Sequence, residues 1–460
     1  MGQNAKNTER LGLKKLLMWH SRSISLACNA IVLGYLSIYC TDTLLMPPAL
    51  VGTLLVISKV MDAITDMIAG YIVDRTNTRI GRGRPYEFAV IGMWLCTWLL
   101  YSCPSEAEIT LKTVWVLIMF VFVNSIFVTL LHANGIVYMV RAFKGDQKYI
   151  ELNSYGGIIT TIGVIFLNIS FPSLMAKLAV SPKGWSTLIA IYAVPLLLIG
   201  MLRFIFIKEE NHTEISAIGE KIIFKDVLAL LKGNPYIYVV ALLSFTSSLV
   251  ANMGVSIYYY TYIVKNVAIM GIIAATTILS LPVMMLVPVL MKKFTASKIV
   301  MGGCMISSIG YFSLFFAGDN IPLLAIGTVI CGMGNLPIAY LTPLLIIDCA
   351  SYNEWRKQPR MEGMLGSIVG FATKVGSAIG AGMLGFLLGS VGYDASLTIM
   401  PDKVIAMIHI LFSIIPMLFY LLMTLSLIFY KLDKIMPKIK VENEESRKSS
   451  WQSREKLLES

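Results

Sequence analysis

Apolar residues in this chain come in long runs separated by short polar turns. Each run has about 20 residues or more, enough for a helix to cross a hydrocarbon core of about 30 Å. The pattern predicts twelve spans, at 24–45, 48–73, 86–103, 112–140, 150–178, 184–207, 236–264, 268–291, 298–317, 321–347, 362–391 and 404–430. The polar stretch from Lys208 to Pro235 divides them into two sets of six. The expected fold is therefore an all-α membrane protein of two pseudo-symmetric six-helix bundles with a substrate path between them. The expected parts are an N-terminal tail 1–23, a bundle 24–207, a central loop 208–235, a second bundle 236–430 and a tail 431–460 whose polar stretch 441–460 is disordered or helical at its end.

Composition agrees. Of 460 residues 56% are hydrophobic and only 14% charged, where a soluble domain averages about 25% charged; mean hydropathy is +0.73. The net charge of +11 raises the question of an anionic partner, and its placement answers it. Counting alternate loops, span ends and both tails, thirty-one of the 38 basic residues fall on one side and five on the other. Basic residues gather on the cytoplasmic side, so the excess encodes topology, with both termini cytoplasmic in a cell membrane, and calls for no nucleic acid. Seven cysteines form no CxxC pair and read as small buried residues.

Two acids break the apolar rule inside a span. Asp62 and Asp66 are four residues apart, so both carboxylates project from one helix face. Ionisable groups inside a membrane mark a polar pathway, and carboxylate oxygens are hard ligands suited to a metal cation such as Na⁺, or to H⁺. The competing structural use is a partner for Lys59, three residues before Asp62, but one lysine does not neutralise two acids. Lys374 is the other internal base. It stands among Gly370, Gly376, Ser377 and Gly380, and Gly376 and Gly380 form a small-xxx-small face that permits close helix approach.

Further polar residues mark candidate cavity walls: Asn29, Tyr35, His132, Asn134, Tyr155, Asn252, Tyr258, Asn335 and Tyr340. Single Asn and Tyr residues serve equally well as interhelical hydrogen-bond partners. Two charged turns are candidate cytoplasmic gates. One holds Asp74, Arg75, Arg79, Arg82 and Arg84; the other holds Asp348, Tyr352, Glu354, Arg360 and Glu362. Nucleotide, zinc-hydrolase and serine-hydrolase motifs are absent from the sequence, as is any histidine cluster. An enzyme is not expected, and neither is a cofactor beyond a coupling ion.

The run Asp62-Ala-Ile-Thr-Asp66…Gly70…Asp74-Arg75-Thr76…Arg79-Ile-Gly81-Arg82…Arg84-Pro85 resembles the glycoside–pentoside–hexuronide:cation symporter family of the major facilitator superfamily. The likeness continues at Tyr39-Cys-Thr41-Asp42, Leu152-Asn-Ser-Tyr155, Tyr258-Tyr-Tyr-Thr-Tyr262, Tyr352-Asn-Glu354-Trp355 and Lys374-Val-Gly376-Ser377, in order along nearly the whole chain. By that resemblance, Asp62 and Asp66 bind the coupling Na⁺ or H⁺, Thr65 is a neutral ligand beside them, and Lys374 lies near the cation site. The family's proline after the second acid is Met67 here.

The resemblance also implies where the solute binds, and there this chain departs from it. Melibiose permease-like sites use an acid in the first helix, another in the fourth and an arginine at the start of the fifth. Here no acid occurs between Glu9 and Asp42 or between Glu108 and Asp146, and Gly156 stands at the arginine position. Melibiose itself is not expected as a substrate. The expectation is a cation-coupled symporter, functional as a monomer among membrane lipids, moving a sugar, glycoside or sugar derivative. A lysolipid-like amphiphile is the alternative on the same fold, and a non-transporting membrane sensor is the third possibility.

Overall fold

The computed structural model describes residues 11–76, 78–143, 146–209, 233–280, 282–358, 362–397 and 399–458. Most of the 208–235 loop and Arg360 fall outside the described residues, as do the side chains of Asp74, Arg75, Tyr155 and Glu362. The regular structure of the described residues is helical, with a lone bridge between Thr78 and Gly81 in the first charged turn. Ten helices among them are long and apolar enough to cross a membrane. The other two predicted spans appear as shorter pieces, as set out below.

In the first six-span set, α1 is Leu13–Leu33, followed by a π-turn at Tyr39–Thr43, and α2 is Pro48–Arg75. A 3₁₀ turn Arg84–Phe88 leads into α3, Ala89–Leu100. The fourth span is α4, Ile109–Val121, and α5, Thr129–Ala142, joined by a π-helical segment Phe122–Val128. Then come α6, Asp146–Leu178, and α7, Pro182–Phe206. Helix α7 starts where the Ser181 side chain accepts the Gly184 N–H and a proline occupies the first turn, the one place its missing N–H costs nothing.

In the second set, α8 is Tyr236–Ala251 and α9 is Ser256–Tyr262. The eighth span divides into α10, Val267–Thr276, and α11, Pro282–Leu290. Next are α12, Ala296–Phe315, α13, Ile321–Trp355, and α14, Glu362–Ser390. The twelfth span is α15, Asp402–Phe412, and α16, Ile414–Ile428, and α17, Leu432–Leu458, follows.

Three boundaries correct the sequence reading. Helix α1 begins at Leu13 rather than at residue 24, because Leu16 and Trp19 bury against Tyr138, Phe143 and Ile207. Helix α13 runs on to Trp355, so Asp348, Tyr352 and Glu354 lie on its last turns and not in a loop. The C-terminal stretch is a docked helix rather than a disordered tail. Leu432, Met436 and Ile439 join the core of their unit, and Asn443 donates to the Ser351 carbonyl at 2.9 Å. Trp355 Nε1 also donates to Glu442 at 2.5 Å, so α17 braces the end of α13.

The chain forms two compact units. The first is Met1–Ser216 with Gly254–Ala275 and Ala381–Ile408; the second is Ala217–Met253 with Thr276–Gly380 and His409–Ser460. Close backbone packing holds each together. In the first, a Cβ at Gly52 would lie 2.9 Å from the Gly382 carbonyl. In the second, a Cβ at Gly376 would meet the Phe245 carbonyl at 2.1 Å and one at Gly380 the Leu249 carbonyl at 2.2 Å, the close approach the small-residue face predicts.

Candidate functional site

Helix α2 carries the acid pair along a continuous α-helix, and the segment facing it is the π-helical Phe122–Val128 with the start of α5. A π-turn admits an extra residue and re-aims the side chains around it. Here it presents Ser125 and Thr129, themselves four residues apart. Ser125 Oγ–H donates to Asp62 Oδ1, and Thr129 Oγ1–H donates to Asp66 Oδ1 at 2.8 Å. Lys59 Nζ lies 3.7 Å from Asp62 Oδ2, so the lysine pairs with the first acid of the two. Each carboxylate thus meets a hydroxyl from the facing helix. Two carboxylates and two hydroxyls form an all-oxygen donor set of the kind hard cations take.

Thr65 turns its hydroxyl back to its own helix, onto the carbonyls of Met61 at 3.0 Å and Asp62 at 3.2 Å. Lys374 is half-buried on α14 in the second unit, two and six residues before the two glycines that touch α8. Among the described residues no group of three or more His, Cys, Asp or Glu gathers as a metal centre. A cation here would therefore rest on the acid pair and the hydroxyls.

The residues marked as cavity walls separate into kinds. Asn29 is buried and donates to Thr97 Oγ1 at 2.8 Å, Tyr35 packs its ring on Phe171, and Asn134 is buried and donates to Glu87 at 3.0 Å. Asn252 bonds the Ser248 carbonyl of its own helix. The Tyr420 hydroxyl donates to Asn335, and Tyr258 shares a hydrogen bond with Thr41. His132 and Tyr340 are exposed. Gly156 faces His20: a Cβ there would lie 2.4 Å from the His20 ring, so no side chain fits while the ring holds its place. Beside this pair a cavity of about 470 Å³ is lined by His20, Ser23, Leu152, Gly156, Thr160, Thr161 and Val164.

The first charged turn is held shut on itself. The Glu209 carboxylate accepts the backbone N–H groups of Arg82, Gly83 and Arg84 at 2.9, 2.8 and 2.7 Å. Arg84 donates to the Phe204 carbonyl through Nε and Nη2 at 3.1 and 2.9 Å, and Arg79 is exposed. In the second turn Asp348 is buried and Tyr352 meets Tyr236 edge-on.

The sequence reading missed a buried ionic cluster. It placed Arg22 in the tail and Arg203 at a span end. In the structure both reach Glu87, at 2.9 Å and 3.7 Å, with all three side chains buried. The Arg203 guanidinium also lies over the Trp19 ring at 3.3 Å, a cation–π contact that offsets part of its desolvation. Ser125 and Thr129 were missed as well, although their spacing of four mirrors that of the acids.

The fold and the paired acids define a polytopic transport protein, and the comparisons agree. The chain belongs to the family of MFS/sugar transport proteins, which it matches over residues 23–434. It is 25% identical over 447 residues to the isoprimeverose transporter of Lactiplantibacillus pentosus, covering 93% of this chain and 91% of that protein. It is 24% identical over 438 residues to the glucuronide carrier protein homolog of Escherichia coli K12, covering 91% and 92%. Among solved structures, a mutant of the nucleoside transporter NupG superposes with TM-score 0.66 at 13% identity, covering 91% of this chain and 99% of that one. A D-xylose-proton symporter gives TM-score 0.59 at 16% identity, covering 89% and 96%. The chain is a multi-pass membrane protein of the major facilitator fold.

Proposed function

We propose that this protein is a cation-coupled secondary symporter, driven by Na⁺ or H⁺ through alternating access, whose solute is a sugar, glycoside or sugar derivative. The observation that carries the reading is the Asp62–Ser125 and Asp66–Thr129 pairing across two helices. Two neighbouring like charges repel, so a bound cation or proton stabilises the closed state and couples ion to solute. Transport relatives that match over more than nine-tenths of the chain support a sugar-type solute. Transport alone accounts for the chain, with no enzymatic step, as a monomer in the lipid bilayer with both termini cytoplasmic.

The test is thermal stabilisation of the purified protein by a panel of neutral glycosides, hexuronides, melibiose and lysolipids, each with and without Na⁺ and across pH. A glycoside or uronide that raises Tm more when Na⁺ or protons are supplied supports the reading. Stabilisation by lysolipids alone would replace the solute class with an amphiphile. Strong stabilisation by melibiose would refute the inference drawn from Gly156 and the absent acids.

A further inference from the structure

At the end of the first unit opposite the Arg82–Arg84 turn, three segments meet on one carboxylate. Asp42 lies in the π-turn after α1. Tyr262 closes α9, and Tyr393 follows α14. The Tyr262 hydroxyl sits 2.5 Å from Asp42 Oδ2 and the Tyr393 hydroxyl 2.5 Å from Asp42 Oδ1, while the two phenol oxygens are 2.8 Å from each other. These three contacts close a ring through the carboxyl group. Thr41 Oγ1 is 2.6 Å from Oδ1 and in turn 2.9 Å from the Tyr258 hydroxyl.

Counting hydrogens decides the charge. A hydrogen bond needs one hydrogen per contact, and Thr41 directs its own outside the ring's three contacts, to Oδ1 and to the Ser37 carbonyl at 3.1 Å, while accepting from Tyr258. That leaves two phenol hydrogens for the three contacts of the ring. With an ionised carboxylate both phenols donate to it, and their own oxygens face each other at 2.8 Å with no hydrogen between. With one added proton every contact of the ring is made: the carboxyl O–H donates to Tyr262, Tyr262 to Tyr393, and Tyr393 to Oδ1. No lysine, arginine or histidine among the described residues lies within 4 Å of Asp42 to balance a negative charge. Lys112 on α4 bonds its Nζ to the Leu44 carbonyl at 3.1 Å. Asp394, in the cavity alongside, bonds its own neighbour Ser396. The ionisable groups facing Asp42 are thus the phenols of Tyr258, Tyr262 and Tyr393.

We infer that Asp42, Tyr262 and Tyr393 form a proton-binding site, separate from the Asp62–Asp66 pair, whose proton latches this end of the first unit. The proton comes from solvent and goes to Asp42, and no other bond changes. Because the joined state holds one proton more than the parted state, acid favours joining and alkali favours parting. Asp42 lies six residues before the start of α2, and Asp62 lies midway along that 28-residue helix, about 20 Å from its start at 1.5 Å per residue. The two sites therefore share no ligand.

The test uses the full-length protein in lipid nanodiscs, without solute or Na⁺, so it does not depend on the transport reading. Infrared difference spectra of wild type minus Asp42→Asn should contain a protonated-carboxyl C=O band at neutral pH. Tyr262→Phe, which removes the acceptor and keeps the ring's bulk, should shift that band to higher frequency. Spin labels on unnatural amino acids at the exposed Leu45 and Leu397 should read a short distance in wild type at low pH. The Asp42→Asn amide donates and accepts as the protonated acid does, so it should keep the short distance from about pH 5 to about pH 9, a range spanning typical perturbed carboxyl values. A carboxyl band absent from the difference spectrum, or unmoved by Tyr262→Phe, would overturn the proposal. So would an Asp42→Asn protein whose labels separate, since the ionised acid would then be the latching form. Loss of the band in Asp62→Asn would assign the proton to the other pair.

Discussion

At the scale of single residues, the chemistry rests on which oxygens face which. If Asp66 and Thr129 share the coupling ion, Asp66→Asn should abolish uptake driven by an imposed Na⁺ or pH gradient while leaving the protein folded. Thr129→Ala, which removes one neutral ligand, should weaken cation activation about tenfold or more, the equivalent of about 1.4 kcal/mol or one hydrogen bond to a charged group. Vesicle uptake against the driving ion checks both, and unchanged activation in both variants would return the pair to a structural role beside Lys59. The Arg22–Glu87–Arg203 cluster makes a different prediction. Glu87→Gln leaves two buried guanidinium groups facing a neutral amide, and breaking a buried pair from one side costs about 3–5 kcal/mol. Thermal unfolding should show a drop of several degrees with no change in cation dependence in the protein that remains folded. The acid pair was legible from spacing alone because two acids in an apolar run have few other uses. Arg22, Glu87 and Arg203 were not legible, since a charge near a predicted span end reads as solvated until the packing of α1, α3 and α7 is known.

At the scale of helices, the hydrophobic runs located nearly every span, and what they mislaid has a physical cause. Run length alone cannot see a helix continuing past the membrane on protein contacts, as α13 does to Trp355 and α1 does back to Leu13. Leu432, Met436, Ile439 and Asn443 follow helical spacing, so the docking face of α17 was present in the sequence beneath a polar composition. The π-turn at Phe122–Val128 has no such signature, yet it sets the orientation of Ser125 and Thr129. The small-residue face of α14 was legible, and it can be tested by contrast. Gly380→Ala puts a methyl 2.2 Å from a backbone carbonyl that cannot rotate away, so α8 and α14 must separate, at about 1–3 kcal/mol. Gly370→Ala on the same helix meets nothing within 4 Å and gains up to about 1 kcal/mol of helix propensity. Melting temperatures of the purified variants should move in opposite directions; equal shifts would show that the close approach does not carry load.

At the scale of the whole molecule, the charge asymmetry and the packing of the first unit bear on the same question of orientation. Ser102, after α3, bonds Ser186 near the start of α7 at 2.7 Å, while at the other ends of these two helices Arg84 bonds the Phe204 carbonyl. The basic turn and the start of the central loop therefore share one end of the unit, joined through Glu209, and Ser102 marks the opposite end. On the proposed orientation, which rests on thirty-one basic residues against five, the Arg84 end faces the cytoplasm. Reporter fusions after Ser102 and after Lys225 should then report opposite compartments, with the second inside the cell. A fusion pair reporting the same compartment would mean that the three spans between the two points, α4 with α5, α6 and α7, do not make an odd number of crossings, against the twelve-span reading.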